Sequence, residues 1–409
     1  MTRTPPATLR DLVGPVYVPA AIFGVGQGAA LPIVALTARE LGASVAVSAF
    51  VTALTGAGLL AGDLPAGRIV ARFGERRSIL GGAAAGAVGA VLCLVAWDLW
   101  SLALGVLLTG SAMSVWSLAR QRYLTEAVPL HLRARSMSVF ATAWRTGALV
   151  GPFVGALAIT AVGLRGGFAV QLVAVVVSGL LMARLPDAVG GSVRDASAPV
   201  TPLAVASAYR RMFLTLGIGT VLLGAARASR DAVVPLWGDH IGLSPAQVSL
   251  LFGAAGVLEV LVSSPAGHLM DRFGRRAVAT PSLALLGLAY LLLPFTGTAL
   301  TLGLVAALLG IGNGFGNGVV MTIGADISPA TNRAEFLASW RLLHDAGMFG
   351  GPLAIGVVAA HTLVGASLVI AGLAGLGAVV LWRSIPTFIP FPTRSRAPGR
   401  STALEGSRT

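Results

Sequence analysis

Apolar runs of about 20 residues, long enough to cross some 30 Å of hydrocarbon at about 1.5 Å per residue, follow one another from about residue 14 to about residue 384. No other feature of the chain restricts its fold so strongly. In lipid every backbone N–H and C=O must find a partner within the protein, and unbroken apolar runs of this length satisfy that need as helices. Twelve runs can be counted, which predicts an all-α membrane protein of twelve transmembrane helices. Composition agrees: 11% of residues are charged, against about a quarter in soluble domains.

The net charge of +13 could suggest a nucleic-acid partner, but its placement argues for lipid instead. All 29 basic residues are arginine. With both ends on one side, they gather in the tails and in alternate connections: 68–77, 120–135, 184–211, 272–276, 333 and the tail from 383. Only Arg39 and Arg165 fall in the opposite connections. This asymmetry is the positive-inside pattern, so both termini are expected in the cytoplasm and the protein in the cytoplasmic membrane. Arg3 and Arg10 precede the first run, and no small-residue cleavage site closes it early, which predicts an uncleaved first span.

Several chemistries are excluded. The single cysteine, Cys93, allows no internal disulfide and no cysteine-based metal cluster. Without lysine there is no Walker A site and no Schiff base. His131, His240, His268, His344 and His361 form no H-E-x-x-H pattern, and no G-x-S-x-G elbow occurs. No enzyme activity, cofactor or metal is expected.

One phrase is written twice. Residues 65–76 read PAGRIVARFGER and residues 265–276 read PAGHLMDRFGRR, with seven of twelve letters in common. Pro129 and Pro329, Arg133 and Arg333, Gly147 and Gly347, and Gly151-Pro152 and Gly351-Pro352 keep the same shift of 200. The chain therefore reads as two pseudo-symmetric six-helix bundles, 1–185 and 211–385. A cytoplasmic linker rich in Pro and Gly spans 186–210, and a disordered cytoplasmic tail spans 386–409. Parallel repeats of this kind are a transporter architecture, with the substrate site near the midplane between halves.

The second copy carries Gly267, Asp271, Arg272, Gly274, Arg275 and Arg276, which complete the G-x-x-x-D-R-x-G-R-R phrase of the major facilitator superfamily. The chain resembles that superfamily over essentially its whole length. The first copy keeps Gly67, Arg72, Gly74 and Arg76 but has Ala71 and Glu75 where the pattern has Asp and Arg. The resemblance implies that the acidic residue latches onto the opposite half in the outward-facing state, a latch that Ala71 cannot make. In the fifth span, Gly147-x-x-x-Gly151-Pro152-x-x-Gly155 looks like the antiporter phrase of the drug exporters, with Ala156 in place of the last Gly. The exporters' fourth span has an arginine four residues before Gly110, where this chain has Val106.

Ionisable groups within a span cost at least about 2.5–3.5 kcal/mol each on insertion scales and therefore pair or line water. The resemblance implies that the fifth span packs on the eighth and the second on the eleventh, and with matched depths this predicts two pairs between the halves, Arg145 with Glu259 and Asp63 with Arg341. Arg341, His344 and Asp345 share one helix face, a candidate proton relay. Glu259 is the first candidate for a proton-binding carboxylate, and Asp345 the second. The resemblance implies that the first, fourth, seventh and tenth spans line the cavity. Candidate substrate contacts there are Gln27, Ser111, Ser114, Trp116, Arg227, Arg230, Asp231, Asn313 and Asn317. The expected function is a monomeric secondary transporter of a small molecule, exporting it with proton coupling. A uniporter or importer of an anionic metabolite, and a membrane sensor without flux, are the alternatives.

Overall fold

The computed structural model describes residues 9–10, 12–183, 207–329 and 332–389. The first half contains α1 (Val13–Glu40), α2 (Val45–Phe73), α3 (Glu75–Leu94), α4 (Leu99–Ala127), α5 (Leu130–Val162) and α6 (Gly166–Met182). The second contains α7 (Arg210–His240), α8 (Pro245–Phe273), α9 (Arg276–Phe295), α10 (Ala299–Ile327), α11 (Arg333–Ala359) and α12 (Leu363–Phe388). Eleven helices of the described residues are long and apolar enough to cross a membrane. The exception is α6, whose 17 residues span about 26 Å. The linker expected over 186–210 lies outside the described residues except for its last few. So does the expected tail, apart from its first residues: α12 runs to Phe388, past the boundary expected at 385.

Local chemistry repeats with the same shift of 200. Ser44 accepts a hydrogen bond from Val47 N at the start of α2, and Ser244 forms a reciprocal cap with Gln247 at the start of α8. Asp98 with Ser101 caps α4, and Thr298 with Thr301 caps α10. Each cap satisfies amides that a helix end leaves without partners. Donation from the Ser101 amide holds the exposed Asp98 carboxyl below the usual carboxylate range. At the turns from α2 to α3 and from α8 to α9, Gly74 and Gly274 have φ of 78° and 84°, the left-handed region that favours glycine.

Packing repeats as well. In the first half α1 lies on α5 and α6, α2 on α4, and α3 on α4 and α6. The second half has α7 on α11 and α12, α8 on α10, and α9 on α10 and α12. Between the halves, α2 lies on α11 and α5 on α8. The Gly147 and Gly151 phrase of α5 forms the close contact with α1. A Cβ on Gly151 would sit 2.5 Å from Val25 O and 2.7 Å from Gly28 Cα. Small residues thus let two backbones approach, and dispersion replaces the hydrophobic effect that lipid cannot supply. Trp97, Trp100 and Phe295, in the α3–α4 and α9–α10 turns, are largely exposed, as suits aromatic side chains at a membrane surface.

The halves close together at the end distant from the arginine-rich turns. There Arg39 Nε meets Asp239 Oδ2 at 3.1 Å, and Phe153 of α5 packs on Gly253 of α8. Toward the arginine-rich end the contact loosens. Gly67 and Gly267 face open space, and Asp271 is 80% exposed, touching Arg275 at 3.9 Å.

Candidate functional site

Ionisable side chains of the spans collect into two clusters. The first lies within the second half, where α7, α8 and α10 meet. Arg230 Nη1 donates to Glu259 Oε2 at 2.8 Å, and its Nε lies 3.4 Å from Asp231 Oδ1. Arg227 Nη2 lies 3.8 Å from Glu259 Oε1 and donates to Asn317 Oδ1 at 2.7 Å. Asn317 Nδ2 in turn donates to Ser263 Oγ at 2.7 Å and to Glu259 Oε1 at 3.4 Å. With its amide carbonyl turned toward Arg230, Asn313 accepts from Nη1 and Nε at 2.6 and 3.1 Å. Two arginines face two carboxylates, so the cluster is neutral and its polar atoms are largely satisfied, the condition under which charges persist away from water.

The i, i+4 spacing of Asn313 and Asn317 would place both on one face of a single helix, but the helix breaks between them. The first segment of α10 ends at Gly316, Asn317 is extended, Gly318 has φ of 79°, and the helix resumes at Val319. The run GNGFGNG at 312–318 carried the signal for this break, because four glycines in seven residues weaken the helix and permit a positive φ. The interruption places the Asn317 amide among Arg227, Ser263 and Glu259, and discontinuous helices of this kind form ion and substrate sites in transporters.

The second cluster bridges the halves. Ser114 Oγ of α4 donates to Asp63 Oδ1 of α2, and Arg341 Nη2 of α11 lies 4.0 Å from the same oxygen. Arg341 Nε lies 3.4 Å from Asp345 Oδ2, and His344 Nδ1 lies 3.3 Å from Asp345 Oδ1. One guanidinium, that of Arg341, thus reaches a carboxylate from each half, Asp63 and Asp345. Asp63 Oδ2 is enclosed and receives no hydrogen bond.

Other expected members take no part in these pairs. Arg145 is exposed and near enough to Arg227 to repel it, but makes no ion pair with Glu259, which turns to Arg230 and Arg227 within its own half. Depth along a helix does not report azimuth, and α7 approaches Glu259 from the side that α5 does not. Ser111 donates to Leu107 O of its own helix at 3.0 Å. Trp116 stacks on Phe23 with ring centroids 3.9 Å apart. Gln27 lines a small cavity of the first half, about 30 Å³, with Thr109 and Gln171. The spacing gave no reason to single out Arg120, which is buried beside Trp116.

The repeated arginine phrases do structural work in both halves. Arg76 Nη2 donates to Ala183 O at 2.8 Å, tying α3 to the end of α6, and the Arg276 guanidinium lies 3.1 Å over the Trp382 ring, tying α9 to α12. Arg72 and Arg272 lie over the neighbouring Phe73 and Phe273 rings. Arg275 holds Asp326 at 2.6 and 3.3 Å. In the first half the charges are exchanged, and Glu75 meets Arg122 at 3.4 Å.

The family profile described as Major Facilitator Superfamily matches residues 17–226 and 216–406. The chain is 28% identical over 367 residues to the "uncharacterized MFS-type transporter YddS" of Bacillus subtilis, covering 83% of this chain and 82% of the relative. Over 142 residues it is 28% identical to a multi-drug resistance efflux pump PmrA homolog of Lactococcus lactis, covering 35% of this chain and 34% of the pump. Among solved structures, a POT family transporter bound to a thioalcohol-conjugated peptide superposes with a TM-score of 0.77 at 11% identity, covering 92% of this chain and 96% of that one. The D-xylose–proton symporter superposes with a TM-score of 0.68 at 18% identity, covering 91% and 97%.

Proposed function

The chain belongs to the major facilitator superfamily, and from that premise we propose that it is a proton-coupled exporter of a small molecule, working by alternating access in the cytoplasmic membrane. The observation that carries this reading is that Asp63 of one half and Asp345 of the other meet the same Arg341 guanidinium. One arginine offsets only one of two carboxylates, and a shared proton would offset the other. Asp63 Oδ2, enclosed and without a donor, is the oxygen such a proton would serve. Arg341, His344 and Ser114 supply the remaining charge and hydrogen bonds.

Asp63 belongs to one half and Asp345 to the other, so separating the halves dismantles the shared-proton site. A proton then binds one conformation better than the other, which is the linkage a coupled transporter needs. Glu259, the first choice from sequence, is less suited, because Arg227 and Arg230 already pair with it inside one half, where separating the halves leaves the pairs intact. Its cluster, with the α10 break, is the better candidate for substrate contact through Arg227, Arg230, Asp231, Asn313 and Asn317. Export is favoured by the Gly147-x-x-x-Gly151-Pro152 phrase of α5. Arginine placement favours cytoplasmic termini, with 186–210 as a cytoplasmic linker between the two halves of a monomer.

A single cysteine at Gly67, which faces open space, reports on the arginine-rich end, since Cys93 is buried. Its labelling rate should change with pH in the wild type and lose that dependence in Asp63→Asn and Asp345→Asn. In proteoliposomes screened with dyes and metabolites, efflux should follow an imposed pH gradient. A flux indifferent to that gradient, with pH-independent labelling, would sink the proton-coupled reading.

A further inference from the structure

One charge in the first half has no role in either cluster. Arg120 of α4 is 4% exposed, and its guanidinium lies between two rings, 3.8 Å from the centre of Trp116 and 3.6 Å from that of Phe140. Its Nε and Nη1 are enclosed without a hydrogen-bond acceptor. Among the described residues no carboxylate contacts it. Arginine stays protonated even when buried, so the two rings cover the faces of a full positive charge while its donor edge goes unmet. Cation–π contact offsets part of the desolvation, and the missing acceptors remain a cost.

The repeat itself does not require this arginine. Position 320, related to 120 by the shift of 200, is a valine, and Trp340 Nε1 closes that region by donating to Val320 O at 2.8 Å. The charge is therefore an addition to one half and not part of the common scaffold. It lies six residues beyond Ser114 along α4, about 9 Å nearer the arginine-rich end, where the halves part. Phe140 and Trp144 are half-buried, so the aromatic enclosure has an open side, and Phe23 stacks behind Trp116.

We infer that Arg120 is an anion subsite of the transported molecule, which carries a carboxylate or similar anionic group on a flat apolar body. The guanidinium edge would take the anion as a fork of donors, and Trp116, Phe140 and Trp144 would cover the apolar part. Because Arg227 and Arg230 are already offset by Glu259 and Asp231, Arg120 adds an uncompensated positive charge to the passage. The inference rests on the transporter reading and adds a substrate class to it.

The test is equilibrium binding of radiolabelled benzoate to the purified full chain in nanodiscs, competed by benzamide and benzylammonium. Benzoate should bind saturably, with the neutral and cationic analogues at least tenfold weaker. Arg120→Gln should weaken benzoate at least tenfold while its melting temperature without ligand stays at or above that of the wild type, since an unpaired buried charge has been removed. Arg120→Lys, keeping the charge but not the fork, should retain the preference for benzoate over benzamide at reduced affinity. Equal binding of benzoate and benzamide, undiminished benzoate affinity in Arg120→Gln, or failure of that variant to fold would each overturn the proposal. The pH dependence of Gly67-cysteine labelling should be unchanged in Arg120→Gln, so a wild type that keeps that response but shows no preference for benzoate removes this inference alone.

Discussion

Glu259 and Asp345 are both carboxylates in the middle of a span, and their neighbours set them different tasks. Glu259 faces two guanidinium groups and an amide donor, so removing its charge leaves Arg227 and Arg230 to share Asp231. Breaking a buried pair from one side costs about 3–5 kcal/mol. Glu259→Gln should therefore lower the melting temperature in nanodiscs clearly, and the Arg230→Gln, Glu259→Gln double variant should lose less than the sum of the singles. Asp345→Asn is expected to be mild by comparison, because Asp63 opposes the charge that it removes. A melting curve for Glu259→Gln that matches the wild type would separate Arg230 from its assigned partner. The sequence located these residues by depth, since an ionisable group in an apolar run is conspicuous. It could not choose partners, because which of two facing helices a side chain meets depends on rotation about the helix axis. Arg120 escaped notice for a related reason: the 120–135 stretch reads as a topogenic arginine segment, and only packing reveals that the Arg120 guanidinium lies between rings.

At the level of helices, the close pairs α1–α5 and α7–α11 depend on which glycine faces the neighbour. Adjacent glycines in α11 give a direct comparison. A Cβ on Gly351 would fall 2.8 Å from Ala225 Cα, whereas one on Gly350 meets nothing within 4 Å. Gly351→Ala should destabilise by about 1–3 kcal/mol through overpacking, while Gly350→Ala should be neutral or stabilising by up to about 1 kcal/mol from helix propensity. Thermal melts of the two variants side by side decide this, and equal losses would mean that the α7–α11 contact is looser than described. The helices were legible in the sequence because hydrocarbon thickness fixes their length and apolar runs announce them. The 200-residue echo announced two halves that would pack alike, since related sequences pack in related ways, and which helices meet came from the family resemblance. The break in α10 was not read, although its glycines were in view, because glycine in a span marks close packing and unwinding equally well.

For the molecule as a whole, Arg39 and Asp239 have a meaning that neither has alone. They occupy positions related by the shift of 200, so the pseudo-two-fold axis brings them together at the end where the halves close. Opposite charges at equivalent positions turn a symmetric contact into an attraction present in this conformation and lost when that end opens. The side chains are 36% and 41% exposed, so solvent screening limits the gain to about 1 kcal/mol, which still shifts a two-state population about fivefold. Asp239→Arg replaces attraction by repulsion and should move molecules toward the state open at this end, slowing the labelling of a cysteine at Gly67 as the arginine-rich end closes. Exchanging both charges, Arg39→Asp with Asp239→Arg, should restore the wild-type rate, and roughly 1 M salt should shrink the single variant's effect. The first half lacks an acidic residue at Ala71 and bridges Glu75 to Arg122, while Asp271 of the second is exposed and meets only Arg275 at 3.9 Å, so if the closed arginine-rich end uses the latch that the family resemblance implies, only the second half can supply it. Against so weak a counter-latch, an ion pair of about 1 kcal/mol is enough to set the resting state. Labelling of Gly67-cysteine at the same rate in the wild type and in Asp239→Arg would show that the pair decorates a closure held by packing alone.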